Sequence, residues 1–327
     1  MATEPAKISD EISVTELARV AADLARASSS PETRKAYDRA YARFAAWCGQ
    51  GGHSPLPTTP AIVGLYIAHL FSLKPARSIA TIELAVAGIA YRNRMAGHAL
   101  DRRHPAIAAV LAGCKRKRKQ PPRQARPIVA DELRRVLEVC RDDFAGKRNR
   151  ALLLVAFYGA LRGSELVGMK VEHLTESPAG YRLLIPSSKG DQEGEGQYIG
   201  LPRQSVAALC PVCAIKTWLQ AADIESGPVF VRLDRRGRPE IYGNALTDRA
   251  WRMIVKELAK SAGFAPEDVA YMSGHSLRAG HITTGYLKEV DEAQLQKQAR
   301  HRDPRTTRLY NRQATVFLAN SAKGLMD

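Results

Sequence analysis

Apolar positions along the chain change their spacing near residue 127. Before it they recur every three or four residues, the period of amphipathic helices. In S-S-P-E-T-R-K-A-Y-D-R-A-Y-A-R-F-A-A-W-C, Tyr37, Ala40, Tyr41, Phe44, Trp47 and Cys48 form one stripe. Ser30 stands where an N-cap belongs and Pro31 at the first helical position. Arg34, Lys35, Arg39 and Arg43 fall largely off the stripe. After the break G-Q-G-G-H-S-P-L-P-T-T-P, the pattern predicts further helices from Pro60, from about Ser78 to Met95, and from Pro105 towards Lys119. Four or five helices with no convincing strand make a small helical bundle.

Beyond residue 127 the texture is mixed. V-A-D-E-L-R-R-V-L-E-V-C predicts a helix with Asp131 near its start, and an apolar run predicts a buried one over 147–161. Y-R-L-L-I-P (181–186) and Q-Y-I-G-L-P (197–202) have strand character, and P-V-F-V (228–231) reads as a further strand. Between the first two lies S-S-K-G-D-Q-E-G-E-G, the composition of a hairpin tip. Helix resumes at Pro211, and nearly everything from Leu246 onward is helical in pattern. The expected fold class is therefore mainly α, with a small antiparallel β-sheet in the second domain. The boundary falls at C-K-R-K-R-K-Q-P-P-R-Q-A-R-P, where Pro121 and Pro122 forbid a continuing helix. This gives a helical domain over 1–114, a basic linker over 115–126 and a second domain over 127–327.

Charge narrows the choice of partner. The formal net charge is +16, with +11 over residues 1–126 and +5 over residues 127–327. An excess of that size points to nucleic acid or another anionic surface. Lys115, Arg116, Lys117, Arg118, Lys119 and Arg123 are the candidate DNA-backbone contacts: a tether needs only solubility, whereas a block of one sign suits counterion release from phosphates. No apolar run is long enough to span a bilayer, and M-A-T-E-P-A-K-I-S-D-E-I-S lacks a signal peptide's apolar core. Five scattered cysteines suggest a reducing cytosol. Cys210 and Cys213 have the spacing of half a zinc site, but no second pair accompanies them, so neither metal nor cofactor is expected.

Several residues could do chemistry. In G-A-L-R-G-S-E-L, Arg162 is expected to close a strongly apolar helix, where a guanidinium is costly without a partner, and Glu165 stands one helical turn away. S-G-H-S-L-R-A-G places His275 and Arg278 on one face of a helix, where an anion between them would relieve their repulsion. Lys189 occupies the hairpin-like tip. R-H-R-D-P-R-T-T-R-L-Y-N-R sets Tyr310 among Arg300, Arg302, Arg305, Arg308 and Arg312, with His301 nine residues before it. Asp303 and Pro304 supply an N-cap and first helical residue, which would put Tyr310 inside a helix.

Singly each of these is weak. As an ordered set, Arg162, Lys189, His275, Arg278, His301 and Tyr310 resemble the tyrosine recombinases, or phage-type integrases, with a Cre-like flavour. One departure is Arg300, where members of that family often have glycine. The resemblance covers nearly the whole chain and implies a SAM-like core-binding domain, a basic linker and an α+β catalytic domain. It further implies a site-specific recombinase that exchanges DNA strands through a covalent 3′-phosphotyrosine and a Holliday junction. In that scheme Tyr310 is the nucleophile, Arg162 and Arg278 clamp the phosphate and Lys189 protonates the leaving oxygen. His275 and His301 handle protons, and Glu165 orients Arg162. Surrounding arginines are expected to make the phenol more acidic. The implied assembly is a homotetramer on double-stranded DNA, from a monomer or dimer in solution, in a bacterial cytoplasm and encoded by a mobile element. The apolar stretch after Tyr310 would pack into a neighbouring subunit. The alternatives are a non-catalytic DNA-binding protein on the same scaffold, or a type IB topoisomerase or telomere resolvase.

Overall fold

A computed structural model describes residues 13–27, 30–118, 124–186, 196–240 and 245–314. The chain divides into two compact units, Met1–Pro121 and Pro122–Asp327.

The first unit is helical throughout its described residues: α1 (Val14–Ala27), α2 (Pro31–Gln50), α3 (Pro60–Ser72), α4 (Ile79–Met95) and α5 (Pro105–Arg118). Local chemistry sets the helix starts. Ser30, Thr59 and Ser78 each accept a hydrogen bond from a first-turn N–H, and Pro31 and Pro60 occupy N1. The stripe on α2 faces inward, with Ala40, Phe44 and Cys48 buried and Tyr41 and Trp47 packed at its margin. Phe44 meets the Tyr66 ring edge-on at 5.1 Å, which locks α2 against α3.

The basic run behaves differently from a linker over Lys115–Arg118. These residues form the last turn of α5, since no helix breaker precedes Pro121. Lys115 pairs with Glu83 at 2.6 Å, while Arg118 lies 5.3 Å over the Phe71 ring and donates to the Arg77 carbonyl. Arg116 and Lys117 are exposed. Lys119 and Arg123 lie outside the described residues.

The second unit is built on α7 (Phe144–Tyr158), preceded by α6 (Ala130–Glu138). Residues Ala151 to Phe157 are all buried, so this half of the helix is apolar on every side and forms the centre of the core. It stops at Tyr158, earlier than the apolar run suggests, because Ala160 takes a left-handed conformation (φ 45°). A five-residue helix, α8 (Gly163–Val167), then leads to an antiparallel sheet of β1 (Leu174–Ser177), β2 (Gly180–Ile185) and β3 (Gln197–Pro202) in that order. Leu183 pairs with Ile199 and Tyr181 with Leu201, and alternation buries Leu183, Ile185, Ile199 and Leu201. The hairpin tip carrying Lys189 lies outside the described residues. The segment at 228–231 makes isolated bridges, Lys170 with Pro228 and Val231 with Ala245, instead of a full strand.

The rest is helical as expected: α9 (Pro211–Ala222), α10 (Asp248–Ser261), α11 (Pro266–Tyr271), α12 (His275–Leu287), α13 (Glu292–Ala299) and α14 (Pro304–Ala314). Cys210 is the N-cap residue of α9, so the C-x-x-C spacing marks a helix start. No group of three or more metal-ligating side chains occurs among the described residues. No described helix is long and apolar enough to cross a membrane.

Candidate active site

The site gathers at the first residue of α12, the N-cap of α8 and the middle of α14. Two glycines set α12. At Gly274 a Cβ would lie 2.3 Å from the Trp251 indole nitrogen, and at Gly280 1.8 Å from the Ile128 carbonyl oxygen. Only a bare backbone allows both approaches, which explains the glycines of S-G-H-S-L-R-A-G. The helix start is held by Ser273, whose N–H donates to Ser276 Oγ at 2.9 Å, and by the Ile128 N–H donating to the Ser276 carbonyl at 3.0 Å.

That start aims His275 at Tyr310. His275 Nε2 and the Tyr310 hydroxyl lie 3.0 Å apart, across 35 residues of sequence. The Tyr310 ring runs nearly parallel to His301, 10° off with centroids 6.3 Å apart. Its apolar face rests on a small cluster of Ala160, Ile282, Tyr286, Leu295 and Ala299. Helix α14 is fixed in the turn that precedes the tyrosine. His301 Nδ1 bonds the fully buried Thr307 hydroxyl at 2.8 Å, and Arg308 Nε donates to Glu292 at 2.8 Å. Asp303 accepts from the Arg305 N–H, as an N-cap should.

The guanidiniums form a second layer. Arg162 N-caps α8; its N–H donates to Glu165 Oε2 at 2.8 Å and its guanidinium to Oε1 at 2.6 Å. Arg278 is 1% exposed and donates to the carbonyls of Ala160 and Ala299. Each terminal nitrogen of a guanidinium carries two hydrogens, so both retain a second donor. Arg300 turns inward and donates to Glu165 Oε2 at 2.7 Å. Two guanidiniums thus share one carboxylate, and Arg278 joins them through the Ala160 carbonyl that Arg300 also bonds. A cleft of about 630 Å³, edged by Tyr198, Lys297 and Arg302, opens beside His301.

This electrostatic setting fixes protonation. Burial, then Arg278 and Arg162, push His275 below its ordinary 6.5. Burial and the same arginines take His301 down to about 3. Both imidazoles are therefore neutral near pH 7, and His301 resists protonation. Arg278 falls to about 9, chiefly by burial, and stays cationic. Burial would raise Glu165, but Arg300, the Arg162 N–H and the Arg162 guanidinium hold it below the usual carboxylate range.

The expected acidification of Tyr310 does not occur. Burial raises its pKa, and Arg278 alone opposes it. Sequence neighbours of the phenol are not spatial neighbours here: Arg302, Arg305 and Arg308 are exposed, and Arg300 faces Glu165. Arg162 was expected to close the apolar helix but begins the next one, since the chain turns at Ala160. His275, Arg278, His301, Tyr310, Arg162 and Glu165 come together, while Lys189 lies outside the described residues. Sequence reasoning missed Thr307 and the inward turn of Arg300. The only available signal for the latter was an arginine where glycine is usual.

Comparison with known proteins bears on the family and the fold. The model of the phage integrase family matches residues 127–315. An integrase/recombinase xerD homolog of Selenomonas ruminantium is 30% identical over 299 residues, covering 90% of this chain and 85% of that protein. A tyrosine recombinase of Synechococcus elongatus is 28% identical, covering 86% of this chain and 85% of its own length. Among solved structures, the Tn1549 transposon integrase in complex with transposon right-end DNA superposes with a TM-score of 0.61 at 15% identity, covering 87% of this chain and 90% of that one.

Proposed function

The chain belongs to the phage integrase family, and from that premise we propose that it is a site-specific DNA recombinase acting through Tyr310. The reading rests on one observation above all: the phenol hydroxyl lies 3.0 Å from an imidazole kept neutral. Double-stranded DNA as substrate accords with the net charge of +16 and with the DNA-bound state of the Tn1549 integrase.

In the proposed step the Tyr310 oxygen attacks a DNA phosphorus while its proton passes to His275 Nε2. The bond to the 5′-oxygen breaks, leaving a 3′-phosphotyrosine, and Lys189 gives the departing oxygen its proton. Arg162 and the remaining donors of Arg278 grip the non-bridging oxygens, whose charge grows in the five-coordinate transition state. His301, neutral and stacked beside the ring, donates a hydrogen bond to the same phosphate from its Nε2–H, with Nδ1 accepting from the Thr307 hydroxyl. One phosphoester replaces another, so bond energy is conserved and no nucleotide cofactor is needed. The 5′-hydroxyl of a partner strand then reverses the step. Exchange between two duplexes uses four such tyrosines in two rounds, with a Holliday junction between them and a homotetramer on the DNA. Acting on DNA with free thiols, the protein would work in the cytoplasm.

The test is covalent trapping on a nicked suicide substrate, resolved on a denaturing gel. The unsubstituted protein should form an adduct, and Tyr310→Phe should bind the DNA equally well and form none. An undiminished adduct from that variant would assign the nucleophile elsewhere.

A further inference from the structure

Arg300 stands in a left-handed conformation (φ 54°, ψ 45°) at the C-cap of α13, a backbone that side chains other than glycine enter at a cost. Its side chain makes that cost intelligible. The guanidinium is 4% exposed and donates to Glu165 Oε2 at 2.7 Å, to the Gln298 carbonyl at 2.8 Å, and to the Gly159 and Ala160 carbonyls at 3.2 and 3.3 Å. Glu165 is equally buried, and its other oxygen holds the Arg162 guanidinium. The Ala160 carbonyl also accepts from Arg278. Arg300 therefore touches the supports of both arginines assigned to the phosphate, and reaches neither Tyr310 nor the exterior.

We propose that Arg300 is a positioning residue for strand cleavage: by locking Glu165 and the Ala160 carbonyl it fixes the aim of Arg162 and Arg278. Held by Arg300 through Oε2, the Glu165 carboxylate has one orientation, and Oε1 then sets the Arg162 fork. Without Arg300 the carboxylate keeps only the N–H and guanidinium of Arg162 itself, so it no longer ties that arginine to the α13 end and the two shift together. A misaimed fork loses transition-state contacts while ground-state binding to DNA, spread over many phosphates, persists. This role rests on the strand-transfer reading above.

Arg300→Gly is the informative variant, because glycine accepts the left-handed backbone and only the guanidinium is lost. The readout is the single-turnover rate of adduct formation, measured beside DNA affinity and a thermal melt. Arg300→Gly should cleave at least 10-fold more slowly with affinity within about 2-fold of the unsubstituted protein. Its acid limb should move to higher pH, because Glu165 loses its strongest cation and protonates earlier. If the buried carboxylate, left with Arg162 as its one ion-pair partner, unfolds that variant, Arg300→Gly combined with Glu165→Gln removes the charge and keeps the comparison possible. That double variant should lose less than the product of the two single losses, since the two side chains share the Glu165 carboxylate. An unslowed Arg300→Gly, an unmoved acid limb, or losses that multiply in the double variant would overturn the role. Absence of adduct from the unsubstituted protein would instead overturn the strand-transfer reading, and this role with it.

Discussion

In the proposed reaction a neutral imidazole 3.0 Å from the phenol hydroxyl receives its proton when the phosphate is bound. The sign matters. Because the folded pKa of His275 is depressed below 6.5, the ring is uncharged at neutral pH, with one N–H and one lone pair, and the lone pair can face Tyr310. In the protein without DNA, an NMR titration of His275 should give a midpoint below 6.5. Arg162→Met should move it upward, because a neighbouring cation has been removed. A midpoint above 6.5 in the unsubstituted protein would leave the ring charged and take the base role from it. Arg162→Lys should lower the adduct rate about 100-fold while leaving affinity little changed, since an ammonium cannot present two parallel donors. At this scale the sequence disclosed the chemical types and their order, through i,i+3 spacing and cap residues. It could not disclose that Arg300 faces a carboxylate 135 positions away. Nor could it show that burial outweighs positive charge around the phenol: both depend on tertiary contacts that no local pattern encodes.

Elements were legible where their ends carry their own chemistry. Ser30, Thr59 and Ser78 start helices with side-chain caps, and the strands at 181 and 197 alternate as a half-buried hairpin must. Strand β1 was not anticipated, because L-T-E-S is four residues long with one apolar position. The end of α7 was misplaced because apolar residues continue past the helix to Leu161, whereas the turn is set by Ala160, whose carbonyl the Arg278 guanidinium holds. The start of α12 depends on two close approaches, and Gly280→Ala tests them. The added methyl meets the Ile128 backbone, which no side-chain rotation relieves. Overpacking of this kind costs about 1–3 kcal/mol. The variant should melt several degrees lower, and its adduct rate should fall further than its stability explains, because His275 and Arg278 move with the helix. A variant that melts lower but cleaves at the full rate would show that α12 tolerates the shift without disturbing the site.

For the whole molecule, the distribution of positive charge matters more than its total. Each unit has its own hydrophobic core, and the longest block of one sign ends the first unit's last helix. A linker reading treats Lys115 to Lys119 as equivalent phosphate contacts. The structure separates them, since Lys115 is paired with Glu83 and Arg118 lies over Phe71 with a backbone carbonyl for partner. Arg116 and Lys117 are exposed on the same turn. Each phosphate neutralised contributes about 0.9 to the slope of log affinity against log salt. Replacing Arg116 and Lys117 together with alanine should therefore flatten that slope by nearly 2 on any duplex. Replacing Lys115 and Arg118 should flatten it by less than 1, with part of the lost affinity arising from a loosened helix end. Fluorescence anisotropy on a labelled duplex, titrated at several salt concentrations, separates the two pairs. Equal slopes for both double variants would restore the picture of a uniform basic strap, and an unchanged slope for Arg116 and Lys117 would remove this turn from the DNA surface altogether.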